Sequence, residues 1–477
     1  MAEELIVIAK RDCPTCTMLE DVYARLAAGP VPVRIYSQDD PTFPKSVNEV
    51  IDDTTLEVSF QHQVEIVPTL IRLTDGAETG RIFGWHRGDW EALSGLGDLG
   101  DDLPESQPGC GAKNVEPGIR ERLEVQFGDV GFASRAIELG GYDDPLESCF
   151  ERGWTDGLPV VPPTDERILR MLKGTSRDPK ELVGRIPPNY GECTVEKVAI
   201  NAVMAGCRPE YMPVVLAALE AALIPEFAMH GLLCTTYFSG PTIIVNGPVT
   251  RAIGMNSGVN ALGQGNRANS TIGRALQLII RNVGGGKPNE IDRSTLGNPG
   301  KVSFCFAEDE SDASWTPLSV ARGFDVGTST VTLFHGDGVQ AFCDQKSRTP
   351  EELARSMAMA LNGVGHPKLA QWSNAILVIS PEHYRIFDDA GWGRAEIEEA
   401  IHAGSVRPGK DLVQGAQGVG EGIDPSLVND SLPKFWRDHG LLIVRAGGDA
   451  GLFSAIIGGW IGGRNREVVK PVTYAIR

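Results

Sequence analysis

Lys10-Arg11-Asp12-Cys13-Pro14-Thr15-Cys16-Thr17-Met18 is the stretch from which the fold is read. The apolar run 5–9 before it predicts a short strand, and the apolar spacing over 18–27 after it predicts a helix. Two cysteines separated by two residues therefore stand where a strand ends and a helix begins. Free N–H groups and the helix dipole stabilise a thiolate at such a point, which favours Cys13 as a nucleophile. Pro14 sacrifices no helical hydrogen bond there. Cys16, one turn further on, is placed to attack a mixed disulfide on Cys13 and release the second thiol. Half of a structural zinc site is the competing reading, but that requires four ligands, and no second CxxC or CxxH occurs.

Outward from this stretch, strands are predicted at 31–36, 69–73 and 81–85, the last two around the turn Asp75-Gly76. Helices are predicted at 43–51 and 90–96. The order β-α-β-α-β-β-α defines a first domain over 1–97. Residues 98–118, rich in Gly, Asp, Pro and Ser, read as a linker. A large α/β domain over 119–477 follows, long enough for two subdomains. Its predicted helices are 194–205, 208–223, 271–283 and one starting after Thr349, with Pro350 at its first position and Glu352 completing a capping box. Its predicted strands are 242–245, 302–306, 330–334, 375–379, 441–444 and 468–473. The fold class is α/β.

A second local feature, Val67-Pro68-Thr69, stands before the predicted strand at 69–73. Together with Cys13-Pro14-Thr15-Cys16 it makes residues 1–97, about a fifth of the chain, resemble the thioredoxin and glutaredoxin superfamily. The resemblance implies that Pro68 follows a cis peptide and packs beside the cysteines, with Cys13 attacking and Cys16 resolving. Thioredoxins carry Trp-Cys-Gly-Pro-Cys; here Asp12 precedes Cys13 and Pro-Thr separates the cysteines, which is nearer to glutaredoxins. No glutathione site is evident. Residues 119–477 resemble at most a bacterial α/β family of unassigned role, from which no residue's function follows.

The chain has 477 residues, with 63 acids against 44 bases and a net charge of −19, so nucleic acid and anionic membrane surfaces are disfavoured as partners. Nine cysteines, an odd number with one close pair, do not form the dense even set of a disulfide-stapled secreted protein. The start Met1-Ala2-Glu3-Glu4 lacks a basic leader, and the apolar segment 212–223 carries Glu220 and is short for a span. A cytoplasmic location is expected. Nothing in the sequence sets an oligomeric state.

Three cysteines of the larger region are candidates for chemistry. Cys207 precedes a predicted helix beside Arg208, a setting that lowers a thiol pKa. Cys234 lies four residues after His230, which can act as its base if the segment is helical. Cys305 is on a predicted strand running into acidic residues, where a buried thiol competes. Cys110, in Pro108-Gly109-Cys110-Gly111, reads as a linker thiol able to exchange with the first pair. Cys149, Cys193 and Cys343 read as core or surface thiols. The Gly- and Asn-rich stretch 254–274 is the candidate binding loop: Gly263, Gly265, Asn266, Arg267, Asn269 and Arg274 offer amides and guanidinium groups to a carboxylate or phosphate. Smaller candidates are His335 with Asp337, the loop 446–451, and the acidic run 308–312. No cofactor and no metal are expected.

These readings combine into a thiol–disulfide oxidoreductase unit fused to a larger thiol-dependent catalytic domain acting on a small molecule. A disulfide substrate and an external thiol reductant would be its partners, and a reductive or thiol-assisted cleavage the chemistry of the second domain. The alternative is a redox-regulated protein that binds a small anion, its first domain docking or sensing.

Overall fold

The computed structural model describes residues 2–128, 130–413, 424–460 and 469–477. The chain is mixed α/β and divides into two compact units, one reaching to Gly131 and one from Phe132 to Arg477.

The first unit is built on a five-stranded sheet in the order Ile51–Asp52, Val33–Ser37, Glu3–Ala9, Thr69–Thr74, Ala77–Phe83. The first three strands are parallel, and the last two run antiparallel to their neighbours. Leu5 to Ala9 are buried on both faces, as expected of a central strand. Helices Pro14–Met18, Glu20–Ala27 and Arg87–Ser94 follow the predicted pattern. No helix forms over 43–51. Pro44 lacks an N–H and disfavours a helical Phe43. Glu20 instead accepts the Lys45 N–H at 3.0 Å, and Asp40 accepts the Thr42 N–H at 2.9 Å.

Residues 98–118 are not a linker. Ser106–Gln107 pairs with Trp85–His86, and Cys110–Gly111 pairs with Ile66–Val67. Leu99, Ala112 and Asn114 are buried. The Asn114 amide donates to the Val64 carbonyl at 2.7 Å, and Gln38 accepts the Lys113 N–H at 2.9 Å. Helix Ile119–Phe127 also belongs to this unit, with Phe127 against Phe60 at 6.5 Å between ring centres.

The second unit is one compact body around a seven-stranded mixed sheet. Its order is Cys305–Ala307, Gly240–Asn246, Thr330–Cys343, Phe453–Gly459, Ala375–Ile379, Leu441–Arg445, and Val472–Ala475 also pairs with Thr330–Cys343. The strand expected over 468–473 thus begins later, and Val468 lies outside the described residues. Alternation along the strands assigns the faces. Ile243, Val245, Val331 and Leu333 pack with helices Val195–Ala205, Met212–Leu223 and Arg267–Asn282. Leu377, Ile379 and Ile443 pack with helices Pro350–Leu361 and Arg394–Gly404. Ile244, Phe306, Phe334, Ile376, Val378, Leu442, Val444 and Ile457 meet each other on the opposite face. Strands from both ends of the order share that cluster because the sheet curls: the Asp309 N–H donates to the Arg445 carbonyl at 2.7 Å, joining its two edges.

A buried ion pair sits at this seam. Glu308 accepts from Arg394 Nη2 at 2.9 Å, Trp315 Nε1 at 2.9 Å and the Leu318 N–H at 2.6 Å. Arg394 also donates to the carbonyls of Thr316 and Ile443. The acidic run 308–312, one of the smaller candidates, is therefore committed at Glu308 to holding the sheet closed. Among the described residues no three His, Cys, Asp or Glu side chains are placed so that they could hold a metal ion, and no single helix is long and apolar enough to cross a membrane. Replacing Arg394 by Met leaves Glu308 buried without its counter-charge, so it should destabilise the second unit by about 3–5 kcal/mol. Guanidinium titration of the variant against the parent checks this, and an unchanged midpoint would contradict the role given to the pair.

Candidate functional site

The site of the first unit grows from the end of strand Glu3–Ala9. Cys13 caps helix Pro14–Met18, and its sulfur accepts the Cys16 N–H at 3.4 Å. The Cys13 side chain is 1% exposed and Cys16 fully buried. Facing them, the Val67 carbonyl lies 3.6 Å from the Cys13 sulfur, and the Val67–Pro68 peptide is cis. The sequence places Cys13, Cys16 and Pro68 near one another, and so does the structure.

A third sulfur joins them. Val67 is the register partner of Cys110, and Cys110 packs against the cluster that contains Cys13 and Cys16. Residues 106–111 form a strap fastened at both ends by strand pairing, and Thr15 Oγ1 donates to the Pro108 carbonyl at 2.7 Å. Gly109 is required in this strap, because a Cβ there would sit 2.6 Å from the Val67 oxygen. Cys110 is the partly exposed member of the trio. Composition read this segment as a mobile linker. The alternation Gln107, Gly109 and Gly111 gave no strand signal, and only pairing to distant strands orders it.

The electrostatics separate the three thiols. Hydrogen bonds from Cys16, from Cys110 and from the Cys16 and Thr15 backbone outweigh burial and hold Cys13 down at about 5. Burial, and then the neighbouring Cys13 anion, push Cys16 far up. Burial and the same anion also raise Cys110, with Lys10 opposing. At neutral pH the trio therefore holds one thiolate, on Cys13, and two thiols that donate to it.

The candidates of the second unit fare differently. Cys207 is buried, donates to the Thr271 carbonyl at 3.4 Å, and is pushed up to about 12 by that burial. Arg208 beside it does not offset the loss of water. Cys305 is a core residue among the helices and is raised by burial as well. Cys234 and His230 do meet, because helix Met229–Cys234 brings them together: the sulfur lies 3.8 Å from Nδ1 and 4.0 Å from Nε2, with the imidazole stacked on Tyr190.

The loop expected as an anion cradle spends its polar groups on its own fold. Asn266 caps helix Arg267–Asn282 by accepting the Asn269 N–H at 3.0 Å and donates to the Gly254 carbonyl. Asn269 donates to the Asn256 and Ala261 carbonyls. Arg267 donates to the Gly206 and Cys207 carbonyls, and Arg274 forks onto Asp156 at 2.7 and 2.8 Å. Gly263 packs against the Asn260 side chain, and Gly265 takes the left-handed turn before the helix, at φ +113°. His335 and Asp337 are likewise separated: His335 Nε2 meets the Phe227 carbonyl at 2.7 Å, whereas Asp337 accepts from Tyr237. In the loop 446–451, Asp449 pairs with Arg385.

A thiolate on Cys13 has two measurable consequences. Absorbance at 240 nm should show a step centred near pH 5 that vanishes in Cys13→Ser. Because folding depresses this pKa, its stabilisation is complete above the unfolded value of about 8.5. It is lost as pH falls from there to the folded value of about 5. The reduced parent should thus gain stability over Cys13→Ser between those limits, and a constant difference in denaturation midpoint across that range would contradict the assignment.

Comparison of the chain with family models, with curated proteins and with solved structures returned no match.

Proposed function

We propose that the first unit is a thiol–disulfide oxidoreductase in which Cys13 attacks and Cys16 resolves. The observation that carries this reading is the Cys13 sulfur at a helix start, accepting the Cys16 N–H beside the Val67 carbonyl. The strand–CxxC–helix order, the cis Val67–Pro68 step and the strand that follows support the resemblance to thioredoxins and glutaredoxins.

The chemistry follows from the three pKa directions. The Cys13 thiolate attacks one sulfur of a substrate disulfide, forming a Cys13–substrate disulfide and expelling the other sulfur as a thiolate. Cys16 then loses its proton and attacks the Cys13 sulfur, giving the Cys13–Cys16 disulfide and a second substrate thiol. Two electrons pass from the protein to the substrate, and an external thiol returns them. Lowering Cys13 rather than Cys16 suits this order, since the attacking sulfur is then the one ionised at neutral pH.

In the second unit the Cys234–His230 contact supports a thiol-dependent reaction on a small molecule, His230 taking the proton of Cys234. Cys207 and Cys305 act there as core residues. The anion-binding alternative loses its two arginines to Asp156 and to backbone carbonyls. Insulin reduction with dithiothreitol as the electron source should fall in Cys13→Ser to the rate of the reductant alone, while Cys343→Ser, at an exposed thiol outside the site, should keep the parent rate. An unchanged rate in Cys13→Ser would refute the reading.

A further inference from the structure

The strap that carries Cys110 gives the site more than two sulfurs, and this has a consequence for how a mixed disulfide on Cys13 is resolved. Cys110 is opposite Val67 in an antiparallel pair, Val67 faces Cys13 through its carbonyl, and Cys110 packs against the cluster that holds Cys13 and Cys16. Pairing on both sides of Pro108 and the Thr15 hydrogen bond keep the strap in this register. Cys13 is thus the shared neighbour of two thiols that approach it from different elements, Cys16 from the helix and Cys110 from the strap.

We propose that Cys110 is a second resolving thiol, so that Cys13 alternates between two mutually exclusive disulfides, Cys13–Cys110 and Cys13–Cys16. The inference rests on the thiol–disulfide reading above and extends it. In the step itself, the Cys110 thiolate attacks the Cys13 sulfur of the mixed disulfide. The Cys13–Cys110 bond forms, the bond from Cys13 to the substrate sulfur breaks, and the substrate leaves as a thiolate that takes up the proton lost by Cys110. Attack of Cys16 on the same Cys13 sulfur then forms Cys13–Cys16 and frees Cys110, with no net change in oxidation state. An external thiol reduces either disulfide.

Exposure decides which thiol goes first. Two of the causes that raise the Cys110 pKa, its hydrogen bond to Cys13 and the charge of Cys13, disappear once Cys13 is bonded to the substrate, which leaves burial and the Asp12 charge. Its remaining burial is partial, and Lys10 favours its anion. The chief cause at Cys16 is complete burial, which the mixed disulfide leaves in place. Cys110 therefore ionises more readily than Cys16 at the moment when a resolving thiolate is needed, and Cys16 completes the transfer into the interior.

The test uses the full chain with Cys16→Ser, treated with bis(2-hydroxyethyl) disulfide, quenched in acid, alkylated and digested with trypsin. Cys13 lies in peptide 12–25 and Cys110 in peptide 88–113, so the proposed bond joins two peptides that are otherwise separate. The expected result is the joined pair in Cys16→Ser, and a hydroxyethylthio group retained on Cys13 in Cys16→Ser/Cys110→Ser. A retained adduct on Cys13 in the single variant, with Cys110 alkylated, would overturn the inference while leaving the thiol–disulfide reading intact. Absence of any adduct or bond at Cys13 in both variants would overturn the two together. The unmutated chain under limiting oxidant guards against a folding defect: the joined pair should appear before peptide 12–25 closes on itself, and its absence at every time point would contradict the proposal.

Discussion

Val67 is where the first unit's site is assembled. Its carbonyl faces the Cys13 sulfur, its backbone pairs with Cys110, and the peptide that follows it turns into the strand Thr69–Thr74 beside Glu3–Ala9. Three separate pieces of chain, the helix start at Cys13, the step at Pro68 and the strap at 106–111, are held to within contact of one another by this one residue. The positioning uses backbone groups, so it depends little on which side chain stands at 67. It depends strongly on how closely the chains approach, which is why Gly109 has no room for a Cβ.

With the three sulfurs together, one negative charge is shared among them unequally. Cys13 is nearest the free N–H groups of the helix start and takes the charge; Cys16 and Cys110 remain protonated and donate to it. In the reaction we propose, the same contacts that stabilise the thiolate set Cys16 and Cys110 beside the sulfur that each attacks. Geometry that lowers a pKa and geometry that permits exchange are here one arrangement. The second unit follows a different logic: its curled sheet closes through Glu308 and Arg394, and most of its cysteines fill space between helices and strands.

What was legible in the sequence was local. A strand, CxxC and helix in succession need only neighbouring residues to be recognised, and Cys13 and Cys16 were singled out that way; Pro68 came with the resemblance to thioredoxins and glutaredoxins. Misreadings arose where distant partners decide. Residues 98–118 look like a linker because their buried polar atoms, Asn114 above all, are satisfied by Val64, Gln38 and Ser59, far away in sequence. Arg274 looks free to bind an anion until Asp156, 118 residues earlier, is brought against it. Strand Phe453–Gly459 was not among the predicted strands and ends in two glycines; in the sheet a Cβ at Gly459 would strike Asn374 and Phe334, so glycine marks close packing there. Cys207 shows the same limit: a helix start and a neighbouring arginine favour a thiolate only while water or a donor remains nearby.

The account stands on Cys13 being the ionised, attacking sulfur at neutral pH. The most direct measurement is the second-order rate at which the reduced chain exchanges with a small disulfide, followed from pH 4 to pH 10. The account predicts a rate that rises through an apparent pKa near 5 and is already level at pH 7. A rate that keeps climbing tenfold per pH unit through neutrality, bending only near the ordinary thiol pKa of about 8.5, would contradict it.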